Sequence, residues 1–323
     1  MKIIPTDDPN IVLMSWKGES KLDAGYIYCP YIPKSFRKGE TEMLDRAYQS
    51  LLSLSVGDAF GENALKSMPP GSVWYWTDDT AMARMIYKNL CDCGQIDPNL
   101  LAKLFAESYY ADPNRGYGRG TAKLLFDIRS GGNWLELSRG IWDGKGSHGN
   151  GGAMRSAVIG AYYGRDYESI VRATTSATET THANKDAIDG AIAIAIAAGY
   201  ASTTKFDFDE FYQTILQYTP DGPVRERIAT TIELRYKDFP EVGGIVGSGY
   251  EVSALDTVPY AIWCAAYALS RNPYSETTYE YVMERIAFTG GDTDTVCAMV
   301  GGIVGNVMPP PKEMVDRTES LNL

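Results

Sequence analysis

Residues 187–201 read AIDGAIAIAIAAGYA, and Asn184 stands just ahead of them in a position suited to capping a helix. Two structures compete for this stretch. The strict alternation of Ala and Ile has the two-residue period of a strand. The length of the run and its alanine content favour a helix packed tightly in a core. The helical reading is adopted, and it sets the fold class, because the neighbouring segments make the same choice.

Those neighbours carry helix signals of their own. Asp97 followed by Pro98 predicts an N-cap with proline in the first turn, and Leu101, Leu104, Phe105 and Ser108 then share a face. Met82, Met85, Ile86 and Leu90 form a second stripe at three-to-four spacing, closed by Gly94. Gly222-Pro223 opens a helix with Val224, Ile228 and Ile232. Val282 and Ile286 belong to another, which breaks at Gly290-Gly291 before a further apolar run from Val296. No stretch beyond residue 41 reads as a βαβ unit. The expectation is one compact, all-α domain over residues 41–323. Residues 1–40 differ: short β-like runs at 11–14, 26–28 and 31–32 are interrupted by Pro5, Pro9, Pro30 and Pro33, which predicts a strand-and-loop extension without a core of its own.

Composition narrows the chemistry. The 323 residues hold 41 acidic against 30 basic side chains, a net charge of −11, which argues against a nucleic-acid surface. Two histidines, His148 and His182, cannot form an HExxH site, and five cysteines without a C-x2-C pair make a structural zinc site a poor fit. Carboxylate oxygen is the abundant ligand, which suits magnesium, manganese or calcium. Cys264 and Cys297 sit in apolar runs and read as core residues, consistent with a reducing compartment. The N-terminus lacks the build of a signal peptide, and the longest strongly apolar stretch falls short of the roughly 18–20 residues of a membrane span, so a cytoplasmic protein is expected.

Five clusters carry possible chemistry. Thr77-Asp78-Asp79-Thr80 precedes the Met82/Met85 helix, and Gly290-Gly291-Asp292-Thr293-Asp294-Thr295 precedes the Val296 run. Each taken alone is an acid-rich helix start. If the two starts meet, four carboxylates share one site, and two divalent cations would balance them. Ser147-His148-Gly149-Asn150-Gly151-Gly152, running into AMRSAVIGAYY, is a cradle for an anion such as phosphate, or else a mobile surface loop. In Thr181-His182-Ala183-Asn184 the histidine reads as a general acid or base, a substrate hydrogen-bond partner, or a structural residue beside the cap. Gly57-Asp58-Ala59-Phe60-Gly61-Glu62 ends an amphipathic helix carrying Leu44, Tyr48, Leu51 and Leu52, with Glu62 left near a loop.

The five segments occur in one order: SVGDAFGE (55–62), WTDDTAMA (76–83), SHGNGGAMR (147–155), TTHANKDAIDGA (180–191) and TGGDTDTVCAMVGG (289–302). Together they resemble the ADP-ribosylglycohydrolase family, relatives of dinitrogenase reductase-activating glycohydrolase, over residues 44 to 308. The resemblance implies an orthogonal multi-helix fold. It implies a centre of two Mg²⁺ ions, or Mn²⁺, held by Thr77, Asp78, Asp79, Asp292, Asp294 and Thr295. ADP-ribose would lie along Ser147, Gly149, Asn150, Gly151, Gly152 and His182, with Asp79, Glu62 and Asp294 as catalytic groups. The sequence departs from the family pattern at two places. Relatives carry a glutamate several residues beyond the GDA-x-G turn, where ENALKSM (62–68) stands here. The Thr-His element is followed by Asn184 and Lys185 rather than a second histidine.

The implied activity is removal of ADP-ribose from a modified protein side chain, with arginine the expected one. Some bacterial members carry an N-terminal extension and act as immunity proteins, and GYIYCPYIP (25–33) looks like such an arm. The alternative is therefore a binding protein whose extension blocks an ADP-ribosyltransferase toxin. A two-metal phosphohydrolase acting on a nucleotide is the third reading.

Overall fold

A computed structural model describes residues 2–4, 13–15 and 38–323, apart from 65, 67, 68, 70 and 272–275. Strands β1 (Lys2–Ile4) and β2 (Leu13–Ser15) pair antiparallel, with Ile3 opposite Met14. The β-like runs expected at 26–28 and 31–32, and the toxin-blocking arm they would build, lie outside the described residues.

The rest is all-α, as expected, with fifteen α-helices among the described residues. The chain runs through α1 (Lys38–Asn63), α2 (Asp78–Cys93), α3 (Pro98–Ala111), α4 (Arg119–Arg129) and α5 (Trp134–Gly144). It continues through α6 (Ala157–Tyr163), α7 (Tyr167–Glu179), α8 (Lys185–Thr203), α9 (Phe208–Tyr218) and α10 (Pro223–Ile232). It closes with α11 (Phe239–Val246), α12 (Ala254–Leu269), α13 (Glu276–Thr289), α14 (Thr293–Val304) and α15 (Lys312–Arg317).

The Ala/Ile run is the middle of α8. Asn184 caps it by accepting from the Asp186 amide at 3.0 Å. The helix packs against α6, α7, α9, α12 and α14, so Ala191 to Ala198 are buried on every side. That all-round burial explains the absence of a polar face, and alanine permits the close approach of so many neighbours. Asp97 caps α3 through the amides of Asn99 and Leu100, and Thr77 caps α2 through that of Asp79. Cys264 and Cys297 are fully buried.

One local outcome agrees with expectation and one differs. The GDAFGE segment ends α1, forming its last turns. Gly57 and Gly61 face α14: a Cβ at Gly57 would stand 2.2 Å from the Cys297 carbonyl oxygen, and one at Gly61 would stand 2.6 Å from Asp294 Cα. The missing side chains let the two backbones touch, so α1 remains helical and α14 starts directly on it. The glycine-rich loop does not run straight into a helix at Ala153. Asn150–Gly152 form a 3-10 turn, and α6 begins only at Ala157. The loop is held by the antiparallel bridge between Gly149 and Ser253 and by the Asn150 amide donating to Val252 O at 3.2 Å. It is a braced element rather than a mobile loop.

Candidate active site

The helix starts carrying TDDT and GGDTDT meet. Thr295 Oγ1 lies 3.3 Å from Asp79 Oδ2 across 216 residues of chain. Asp58 of α1 joins them. Its carboxylate accepts from the Thr77 amide at 3.0 Å, the Thr80 amide at 3.0 Å, and the hydroxyls of Thr77 at 2.9 Å and Thr80 at 2.5 Å. Asp58 thus fastens the first turn of α2 onto α1. Oxygens of Asp58, Asp79 and Asp294 lie within 4.8 Å of one another, a grouping able to hold a metal ion. Asp58 was not among the residues selected from the sequence. Its signal was the spacing of two glycines around it, which announces a close helix contact at that aspartate.

Crowding raises the acids. Burial, then Asp294, push Asp58 up to about 8 against the hydrogen bonds it accepts. Burial, then Asp294, push Asp78 up to about 7. Asp292 is pushed up to about 7 by the same two causes. Asp79 is held well above the carboxylate range, by burial first and then by Asp58 and Asp294. Asp294 is the common neighbour of all four.

Two details show a positive charge is wanted here. Thr77 Oγ1 has one hydrogen, yet lies 2.9 Å from both Asp58 Oδ1 and Asp79 Oδ2. Asp79 Oδ1 is buried without a hydrogen-bond partner among the described residues. A buried carboxylate oxygen in that state needs a proton or a cation. The donor set of carboxylates and threonine hydroxyls fits a hard divalent ion.

A cavity of about 290 Å³ opens above the acids. Asp78, Asp79, Asp292, Asp294 and Thr295 line it on one side, and Ser147, Gly149, Asn150, Gly151 and His182 on another. Asn150 Nδ2 donates to Asp292 Oδ2 at 2.6 Å and to Thr257 Oγ1 at 3.1 Å. Three selected residues do not line the cavity. Thr77 is buried beneath it. Gly152 packs behind the loop, where a Cβ would stand 2.5 Å from Thr178 Cγ2. Glu62 pairs with Lys66 on the surface, its side chain 40% exposed.

The rim adds residues that the sequence reading did not select. Trp142 and Val252 line the mouth with φ of 52° and 55°, a region unfavourable for a tryptophan and more so for a β-branched valine. Trp142 interrupts α5, is 66% exposed, and stands 6.3 Å from the His148 ring. Such backbone strain costs about 1–3 kcal/mol per residue and gathers at ligand sites.

A family model described as ADP-ribosylglycohydrolase matches residues 39–308. The chain belongs to the ADP-ribosylglycohydrolase family. It is 30% identical to ADP-ribosylhydrolase ARH3 of Gallus gallus over 256 residues, which are 71% of this chain and 69% of that protein. It is 24% identical to ADP-ribosylarginine hydrolase Tri1 of Serratia proteamaculans over 291 residues, 82% of this chain and 72% of that protein. A solved structure titled ADP-ribosylglycohydrolase-related protein complex shares the fold, with a TM-score of 0.56 and 21% identity over 83% of this chain and 88% of that one. Membership makes the protein a glycohydrolase enzyme acting on ADP-ribosylated substrates. As an ADP-ribosylglycohydrolase it carries an acidic group that could bind a metal. Among the described residues no helix is long and apolar enough to cross a membrane.

Proposed function

We propose that this ADP-ribosylglycohydrolase is a cytoplasmic, metal-dependent enzyme that releases ADP-ribose from modified arginine side chains of a protein. The observation that carries the metal dependence is the partnerless, buried Asp79 Oδ1 at the meeting of two Asp-bearing helix starts. Two Mg²⁺ ions, or Mn²⁺, suit the site, held by Asp78, Asp79, Asp292, Asp294 and the hydroxyls of Thr77 and Thr295. When bound, such ions act as Lewis acids and lower the pKa of water.

The chain's own residues supply position and proton transfer. The Gly149–Gly151 turn and Ser147 bind the pyrophosphate and ribose, which orients the distal anomeric carbon over the acids. Trp142 offers an exposed aromatic face at the mouth for the adenine. Water adds its oxygen to the anomeric carbon while the bond to the guanidine nitrogen breaks, through an oxocarbenium-like state. Asp79 takes the water proton, since Glu62 is turned to the surface, and the leaving guanidine gains a proton. Acidic walls around the reacting carbon favour a cationic leaving group such as guanidinium. The Serratia relative, named as an ADP-ribosylarginine hydrolase, agrees with that choice. Free thiols at Cys93, Cys264 and Cys297 accord with a reducing compartment.

The test is incubation of arginine- and serine-ADP-ribosylated proteins with the enzyme in Mg²⁺, Mn²⁺ or chelator. Release of free ADP-ribose from the arginine substrate, lost with chelator, is expected. Preference for serine would overturn the arginine assignment, full activity in chelator would overturn the metal dependence, and inorganic phosphate as product would indicate a phosphohydrolase.

A further inference from the structure

A hydrogen-bond relay runs from Arg155 to the cavity edge of His182. Arg155 is 1% exposed, and its guanidinium lies 4.5 Å from the centre of the Phe105 ring. Among the described residues its hydrogen bonds go to Thr181 Oγ1 at 2.8 Å, Ala177 O at 3.3 Å and Met82 Sδ at 3.3 Å, none of them a carboxylate. Thr181 Oγ1 in turn lies 2.7 Å from His182 Nδ1.

Donor and acceptor roles follow from chemistry. A guanidinium only donates, so Thr181 Oγ1 accepts from Arg155. The one hydroxyl hydrogen of Thr181 is free to be donated to His182 Nδ1, in the tautomer that leaves that nitrogen its lone pair. In that tautomer the ring proton is on Nε2. That edge faces the cavity between Gly149 and Gly151, where a Cβ would stand 3.3 Å and 2.9 Å from Nε2. His182 is 4% exposed, and its Nε2 has no hydrogen-bond partner among the described residues.

We propose that Arg155 and Thr181 are positioning residues that hold His182 as the neutral Nε2–H tautomer, so that it donates a hydrogen bond to an oxygen of ADP-ribose and does not transfer protons. The ligand half rests on the functional reading above; the tautomer does not. Protonation of His182 would put a second N–H against a threonine already aligned as a donor, beside a buried cation. Burial first, then the charges of Arg155 and His148, push His182 down to about 3. Between pH 5 and 8.5 the ring stays neutral.

The chain has only two histidines, so imidazole ¹⁵N spectra are simple to assign, with His148→Gln as the reference. His182 should show a pyridine-type Nδ1 and a pyrrole-type Nε2, unchanged from pH 5 to 8.5. Thr181→Val should erase this preference and weaken ADP-ribose binding about tenfold by calorimetry, the loss of one oriented hydrogen bond. Thr181→Ser should restore the nitrogen pattern and most of the affinity. A proton on Nδ1, or titration of His182 within that pH range, overturns the proposal. Should Thr181→Val fail to fold, spectra of the unsubstituted enzyme still decide the tautomer. A correct tautomer with unchanged affinity in folded Thr181→Val overturns the donor role. Absence of any ADP-ribose binding by the unsubstituted enzyme overturns the cavity reading and the donor role together, and leaves the tautomer standing.

Discussion

Asn150 donates through Nδ2 to Asp292 Oδ2 at 2.6 Å, which ties the glycine-rich turn to the first aspartate of the GDTDT element across 142 positions. The turn that would hold the pyrophosphate and the acids that would hold the metal are therefore one mechanical unit. Replacing Asn150 by Ala frees the turn and leaves Asp292 without that partner. The expected result is a fall in kcat/KM of about 10–100-fold, with weaker Mg²⁺ binding by calorimetry, as for outer partners of metal ligands.

Asp79→Asn should abolish hydrolysis while the circular dichroism spectrum is retained. Asp79 is buried beside four acids, Asp58, Asp78, Asp292 and Asp294, and held well above the carboxylate range. Without metal the buried carboxyl must take up a proton, a requirement that the neutral amide removes. In chelator, the variant should therefore melt at or above the temperature of the parent enzyme, a pattern that loss of a structural residue would not produce.

Metal-free enzyme should lose stability as pH rises. Asp58 is pushed up to about 8, and Asp78 and Asp292 to about 7, from an ordinary 3.8. A raised folded-state pKa means that the folded chain binds more protons than the unfolded chain between about pH 4 and 8, so stability falls across that interval. Melting temperatures in chelator should drop from pH 5.5 to 8.5. Saturating Mg²⁺ should flatten the slope, because a cation takes the place of the protons.

Gly61→Ala should be costly although alanine favours helices. The added Cβ would meet Thr293 O at 2.5 Å and Asp294 Cα at 2.6 Å, both backbone atoms that cannot rotate away. A loss of about 1–3 kcal/mol in urea unfolding is expected, together with reduced hydrolysis as Asp294 is displaced.

Glu62→Gln should change kcat/KM by less than about threefold and stability by less than about 1 kcal/mol. Its partner is Lys66, one turn on, and both are exposed. A hundredfold loss would return Glu62 to the catalytic group.

The helical class was legible from residues 187–201, and the caps at Thr77, Asp97 and Asn184 lie where their sequence neighbours indicate. The two acidic helix starts were legible as motifs. Asp58 was not, because an aspartate between two glycines looks like the end of a helix until α14 is seen packed on it. Trp142 and Val252 escaped for a different reason: their place at the cavity mouth depends on positive φ angles that neither side chain favours.

The sequence by itself determined the all-α class and the capped starts of α2, α3 and α8, because capping, proline placement and apolar spacing act through residues a few positions apart. Only the tertiary structure decided which acids meet, which glutamate is turned to the surface, and which nitrogen of His182 faces the cavity. Those outcomes depend on burial and on partners as far as 216 positions away, and electrostatic coupling follows distance in space rather than along the chain.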